Sequence, residues 1–230
     1  MAISINTVYQ RVLAILNKEQ RGYLTPVEFN LFANQAQLDI FEQYFYDLNQ
    51  FSRLPGNSTE YSDMVDILEE KISAFQKTAQ PAYSADHFVE PTDLYRLGTV
   101  IYNGSEAEHV NKNEYLYITS SPLSKPTNDF PIYTRDSSGI KIYAAAELTN
   151  NTGVIFNYAK KPVEAEWKFT TVAGEALYRA TGTVDFELHE SEETDLVIKI
   201  LQLAGVLIKD PSIYQVGSTE EAKDVQQEKA

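Results

Sequence analysis

The sequence contains no cysteine. A disulfide framework and every thiolate-ligated site are therefore excluded, and the chain fits completion in a reducing cytoplasm. Histidine is scarce: His87, His109 and His189 are the whole supply, too few for a His-rich metal site. Basic residues are outnumbered, with 19 Lys and Arg against 33 Asp and Glu, for a formal charge of −14. Tight nucleic-acid binders need clustered positive charge, and so do peripheral binders of anionic membranes; both classes are disfavoured. Long apolar runs are missing too. The longest window, 196–208, includes Lys199 and Gln202 and reads as a buried amphipathic helix, short of the roughly 18 unbroken apolar residues of a membrane span. The N-terminal stretch lacks the basic start and continuous apolar core of a signal peptide.

What remains is a globular composition, 230 residues with 43% hydrophobic content. The order of patterns is helical, then strand-rich, then helical again. Ile5, Val8, Tyr9, Val12, Ile15 and Leu16 recur at helical spacing, and Gly22 ends that helix. Thr25-Pro26-Val27-Glu28 combines a cap, a first-turn proline and the second half of a capping box. The helix it starts runs over 25–52, about 40 Å at 1.5 Å per residue, and stops before Leu54-Pro55-Gly56. It carries two apolar stripes: Phe29, Phe32, Ala33, Ala36, Ile40, Tyr44, Leu48 and Phe51 on one line, Leu31, Leu38, Phe41 and Phe45 on another. Two such faces suit either a central helix contacted on both sides or a helix with one face on a neighbouring subunit. A third helix is expected over 61–75.

From residue 86 the period shifts toward two. Asn103-Gly104 between strand-like runs is a strong hairpin signal, since both turn residues must tolerate positive φ. Further hairpins are expected around 136–139 and 173–175, with another strand at 154–158. Residues 120–129, with two prolines, read as an exposed loop and contact candidate. Six acids and no base fall in 185–195, where Ser191 is the expected cap of a final helix whose buried face is Leu196, Ile200, Leu203, Ala204 and Leu207. The fold expected is α+β. Three N-terminal helices and the C-terminal helix form a bundle carrying an inserted antiparallel sheet or sandwich. The bounds are 1–85, 86–184 and 185–230, the last a helix and docking tail packing with the N-terminal bundle.

No phosphate loop, HExxH, GxSxG or calcium loop is present, and the adjacent Glu192 and Glu193 make a poor acid–base pair. Nothing implies an enzyme, a cofactor or a bound metal. The 15 tyrosines suit contact surfaces as much as cores, which points to a protein that works by binding.

Several strings, in order, resemble one family. They are Leu24-Thr25-Pro26-Val27-Glu28-Phe29-Asn30 with Ala33-Asn34-Gln35-Ala36-Gln37, and Pro91-Thr92-Asp93-Leu94-Tyr95-Arg96-Leu97. Glu108-His109-Val110 with Asn113-Glu114-Tyr115 follows, then Lys161-Pro162 leading to Trp167, and Asp185-Phe186-Glu187-Leu188. The last are Ile200-Leu201-Gln202-Leu203-Ala204-Gly205-Val206 and Asp210-Pro211. The chain resembles the adaptor, or head-to-tail connector ring, proteins of short-tailed double-stranded DNA phages, especially those of crAss-like phages. The resemblance implies a virion protein, assembled in the host cytoplasm, that forms a homo-oligomeric ring below the portal, a dodecamer by the family's symmetry. Such a ring extends the DNA channel and offers a platform to other tail ring, adaptor or tube proteins; dsDNA passes without specific binding, and no membrane is involved. Contact candidates are Phe32, Gln35, Asp39 and Tyr46 on the long helix, and Asp210, Pro211, Ile213 and Tyr214 toward the portal. If the ring is a conduit, acids are expected to line or neighbour its lumen. The alternative is a free-standing binding module whose sheet exposes Tyr115, Tyr117, Tyr133 or Tyr143 to carbohydrate.

Overall fold

Thr25 and Glu28 close a reciprocal capping box at the start of the longest helix. The Thr25 amide and hydroxyl donate to Glu28 Oε2 at 3.0 and 2.6 Å, and the Glu28 amide donates to Thr25 Oγ1 at 3.3 Å. These bonds satisfy amides that the first turn leaves without helical partners. Glu28's pKa is held below the ordinary carboxylate range by its bonds to Thr25, side chain first and backbone second.

The computed structural model describes residues 3–18, 24–51, 64–208 and 219. The chain is α+β and divides into two units: Met1–Ala74 with Pro162–Ala230, and Phe75–Lys161 between them in sequence. The first contains α1 (Ile5–Lys18), α2 (Pro26–Phe51), α3 (Met64–Ser73) and α5 (Glu193–Ile208), α5 packing on α1 and α2 and α3 on α2. Ile5, Val8, Val12, Leu16, Phe29, Ala33, Ile40, Phe41, Leu196 and Ile200 are all buried in its core. Lys71 of α3 meets the buried Glu192 at 2.6 Å, so its ammonium neutralises a carboxylate that burial would otherwise penalise. A separate two-stranded hairpin, β9 (Phe169–Val172) and β10 (Glu175–Tyr178), also belongs to this unit.

The second unit is an eight-stranded sheet in the order β1-β8-β4-β5-β6-β7-β3-β2. Its strands are β1 (Gln76–Ala79), β2 (Ala82–Ser84), β3 (His87–Val89), β4 (Leu94–Tyr102), β5 (Ser105–His109), β6 (Ile132–Arg135), β7 (Ile140–Tyr143) and β8 (Val154–Lys160). Along β7 and β8, Ile140, Ile142, Val154, Phe156 and Tyr158 alternate inward, the period-two pattern of a half-buried strand. Phe88 of β3 lies 6.4 Å from Phe156 of β8, although four strands separate β3 and β8 in the sheet order, so the sheet curls until its two ends share one core. Asn103 and Gly104 (φ 48° and 88°) turn the β4–β5 hairpin as expected.

Several expectations change. The sheet is not wholly antiparallel: β5 and β6 pair in parallel, which requires a crossover, and α4 (Lys112–Ser120) with the proline-containing loop after it supplies one. A curled single sheet stands where a sandwich was the alternative. The unit bounds fall at 75 and 161, not at 86 and 184. The early edge strand β1 is largely exposed and so shows no apolar alternation, while β9–β10 has strand periodicity but is held within the helical unit. The third helix stops at Ser73; Phe75 beyond it accepts a backbone bond from Lys160 at 2.8 Å. Ile15, expected on the buried face of α1, is 45% exposed.

The acid-rich start of the last helix is not a freely solvated run. Asp185 accepts from the Ile5 amide at 2.9 Å, Glu187 accepts from the Val163 amide at 2.9 Å, Glu193 pairs with Arg11 at 3.0 Å, and Glu192 pairs with Lys71. The cap is His189, whose Nδ1 accepts from the Ser191 amide at 3.2 Å; Ser191 itself lies inside the short 3-10 turn Glu190–Glu192 that leads into α5.

Candidate interaction surface

Three lines of side chains run along α2, and each has a different job. Taking about 100° per residue, Phe29, Ala33, Ala36, Ile40 and Tyr44 fall on one side, and all are buried. About 100° around the helix lie Asn30, Asn34 and Gln37. Beyond them, facing outward, are Val27 and Leu31, exposed at 59% and 66%, with Leu38 and Phe45 half-buried; Tyr46, 63% exposed, lies further round the helix with Gln35 and Asp39.

The amide line grips an extended segment, residues 163–167. Asn30 Oδ1 accepts from the Trp167 amide at 2.9 Å and its Nδ2 donates to the Trp167 carbonyl at 3.3 Å. Asn34 repeats the pattern on Ala165, at 2.8 and 2.9 Å. Gln37 donates to the Val163 carbonyl at 2.9 Å and accepts from the Glu187 amide at 3.2 Å. Spacings of four and three residues on a helix thus match alternate residues of a strand. Glu166, between them, exchanges backbone bonds with Val184 at 3.0 Å in each direction. The segment is consequently paired on one side by main chain and on the other by side-chain amides. Trp167 is locked further by its indole N–H to Asn6 at 3.0 Å and by the Tyr9 ring at 4.4 Å.

Next to this segment an open groove of about 490 Å³ is lined by Val27 and Leu31 of α2 and by Glu164, Ala165, Trp167 and Phe169. The β9–β10 hairpin begins at its edge. Phe169 and Tyr178 stand opposite each other in the register and face Trp167, at 6.0 and 5.7 Å between rings. Val172 and Leu177, on the other pleat, are 52% and 55% exposed.

Of the residues expected at the interface, Gln35 and Asp39 are brought together, Gln35 Nε2 donating to Asp39 Oδ1 at 2.7 Å on the outer side of α2. Tyr46 is exposed on that side, whereas Phe32 is half-buried toward the core. Asp210, Pro211, Ile213 and Tyr214 lie outside the described residues, as do Gly22 and the tail 217–230 apart from Thr219. The second apolar stripe separates: Phe41 is buried, Leu38 and Phe45 are half-buried, and only Leu31 is open. The groove and the outer face of β9–β10 were missed by sequence reasoning. The signal that pointed to them was the polar line Asn30, Asn34 and Gln37 beside an apolar face.

The tyrosines proposed as a sugar platform do not form one. Tyr133 is buried on β6, and Tyr115, on α4 rather than the sheet, packs its ring on Tyr143 at 4.4 Å. Tyr117, also on α4, is 78% exposed. The loop after α4 is exposed as expected, with Leu123 at 99% and Phe130 at 78%.

Among the described residues no cluster of three or more His, Asp or Glu could hold a metal ion, and no helix is long and apolar enough to cross a membrane. Compared with known proteins, the chain matches no family model and no curated protein.

Proposed function

We propose that the protein is a structural component of a phage virion: a ring in the head-to-tail connector, built from many copies of this chain. The observation that carries the reading is the outward side of α2. Val27, Leu31 and Tyr46 stand exposed on a 26-residue helix whose opposite side is already committed to the core. Val27 and Leu31, one turn apart, make an apolar patch that continues into the adjoining groove with Ala165 and Trp167, and an exposed apolar patch supports an interaction surface. The helices of the first unit form the ring body, and the portal and further tail proteins are the partners above and below. The net charge of −14 discourages DNA from adhering as it passes through.

The test is the mass and symmetry of the assembled protein. Purified chain at high concentration, alone or with portal rings, is examined by mass photometry and electron microscopy. The reading expects a closed ring, a dodecamer on the portal, of twelve times 26.0 kDa. A protein that stays at the mass of one chain, and adds nothing to portal rings, would refute it.

A further inference from the structure

The first unit carries two exposed apolar features of opposite form. One is the groove walled by Val27, Leu31, Ala165 and Trp167. The other is the outer face of the β9–β10 hairpin. Residues alternate sides along a strand, so Val172 and Leu177 project from the side opposite Phe169, which lines the groove. The Arg179 amide donates to the Lys168 carbonyl at 2.9 Å, continuing the ladder one step and setting Arg179 on the same side as Leu177. A two-stranded hairpin is marginal in water unless something covers a face. Here one face rests on Trp167 and the other is bare.

Charge favours one occupant for the groove. The groove wall carries Glu164, Glu166 and Lys168, and Lys168 is paired with Glu166, which leaves Glu164 as the wall's net charge. The outer face of the hairpin offers the exposed Arg179 beside Leu177, with the exposed Glu175 at the far end opposite Val172. We infer that the outer face of β9–β10 in one copy, carried by Val172, Leu177 and Arg179, docks in the α2 groove of the next copy, against Val27, Leu31 and Glu164. The inference rests on the homo-oligomeric reading above and names the surfaces it uses. Because ridge and groove are different patches, each copy uses both, and the contact runs head to tail; repetition closes a ring if the rotation allows.

The absence of cysteine makes the test unambiguous. Leu31→Cys and Leu177→Cys are made separately, both at exposed positions, then mixed and oxidised. The expected result is a disulfide-linked dimer in the mixture and in neither variant alone. Linkage of the Leu177→Cys chain to itself would overturn the proposal in favour of hairpin–hairpin pairing. Absence of any link would overturn it too, and the mass then separates the two readings. An oligomer without the link leaves the ring standing with a different interface, whereas a single-chain mass removes both. As a second measurement, Arg179→Glu and Glu164→Arg each weaken association several-fold in sedimentation, and the double reversal restores it. Failure of the double reversal to recover association would count against the contact.

Discussion

Replacing Asn34 with alanine tests whether side-chain amides hold the 163–167 segment to α2. Asn34 makes both an accepting and a donating bond to Ala165, at 2.8 and 2.9 Å, and Ala165 is only 1% exposed. Removing the amide forfeits two bonds worth about 1 kcal/mol each and strands a buried donor and acceptor, at about 1–3 kcal/mol each where water cannot enter. Alanine's better helix propensity returns roughly 0.5 kcal/mol. Partial relaxation of the segment brings the net expectation to about 2–4 kcal/mol. For a chain of this size that is a fall in Tm of about 4–16 °C. Urea titration and calorimetry measure it, and hydrogen exchange at the Ala165 amide locates it, because that amide loses its acceptor. Gln35→Ala is the control, one residue along the helix. It breaks only an exposed contact with Asp39 and is expected to cost no more than about 0.5 kcal/mol. If Asn34→Ala melts with the control and the Ala165 amide stays protected, the ladder is not what holds the segment.

Thr25→Ala removes the cap of α2 and is expected to cost about 1 kcal/mol in denaturant titration, with m unchanged. Asp93 accepts from Lys77 Nζ at 2.7 Å and from the Tyr158 hydroxyl at 2.9 Å, and these bonds, Lys77 first, lower its pKa. Its stabilising contribution is therefore complete above the ordinary carboxylate pKa of about 4 and is lost as pH falls through the lowered native value. Asp93→Asn should flatten that acid limb in near-UV circular dichroism of the tyrosines; an unchanged limb would exclude Asp93 as its source. Gly104→Ala meets no atom within 4 Å and is expected to cost about 1–2 kcal/mol for its positive φ alone. Gly139→Ala should cost markedly more, since its φ is 146° and the added carbon would lie 2.4 Å from the Phe88 carbonyl oxygen; equal melting temperatures would contradict this.

Features decided within a few residues were readable in advance. Thr25 and Glu28 make their box from neighbours, and Asn103-Gly104 turns its hairpin with its own φ preferences, as Gly174 does in the β9–β10 turn. Features decided by distant partners were not. The β9–β10 hairpin has the pattern of any strand pair, and nothing within residues 169–178 says that the segment leading to it binds Asn30 and Asn34, more than 130 residues earlier. His189 displaces Ser191 as the cap because the chain enters α5 through a 3-10 turn, which moves the capping position. Periodicity placed Leu31 and Phe41 on one stripe of α2. Only the packing separates them, leaving Leu31 at 66% exposure and Phe41 at zero. The candidate surface was thus half legible: the helix was, its outward side was not.

The chain enters the eight-stranded sheet at β1 and leaves it at β8, and these two strands are antiparallel neighbours, with Gln76 opposite Ala159. The Lys160 amide donates to the Phe75 carbonyl at 2.8 Å, so the two ends of an 87-residue insert meet across one hydrogen bond. A segment anchored this way is interchangeable cargo. The insert begins and ends at adjoining points of the chain, and a short turn or an unrelated domain with neighbouring termini could span the same gap. Lineages carrying this architecture are therefore expected to diverge fastest between residues 75 and 161, trading whole modules there while the helical frame stays constant.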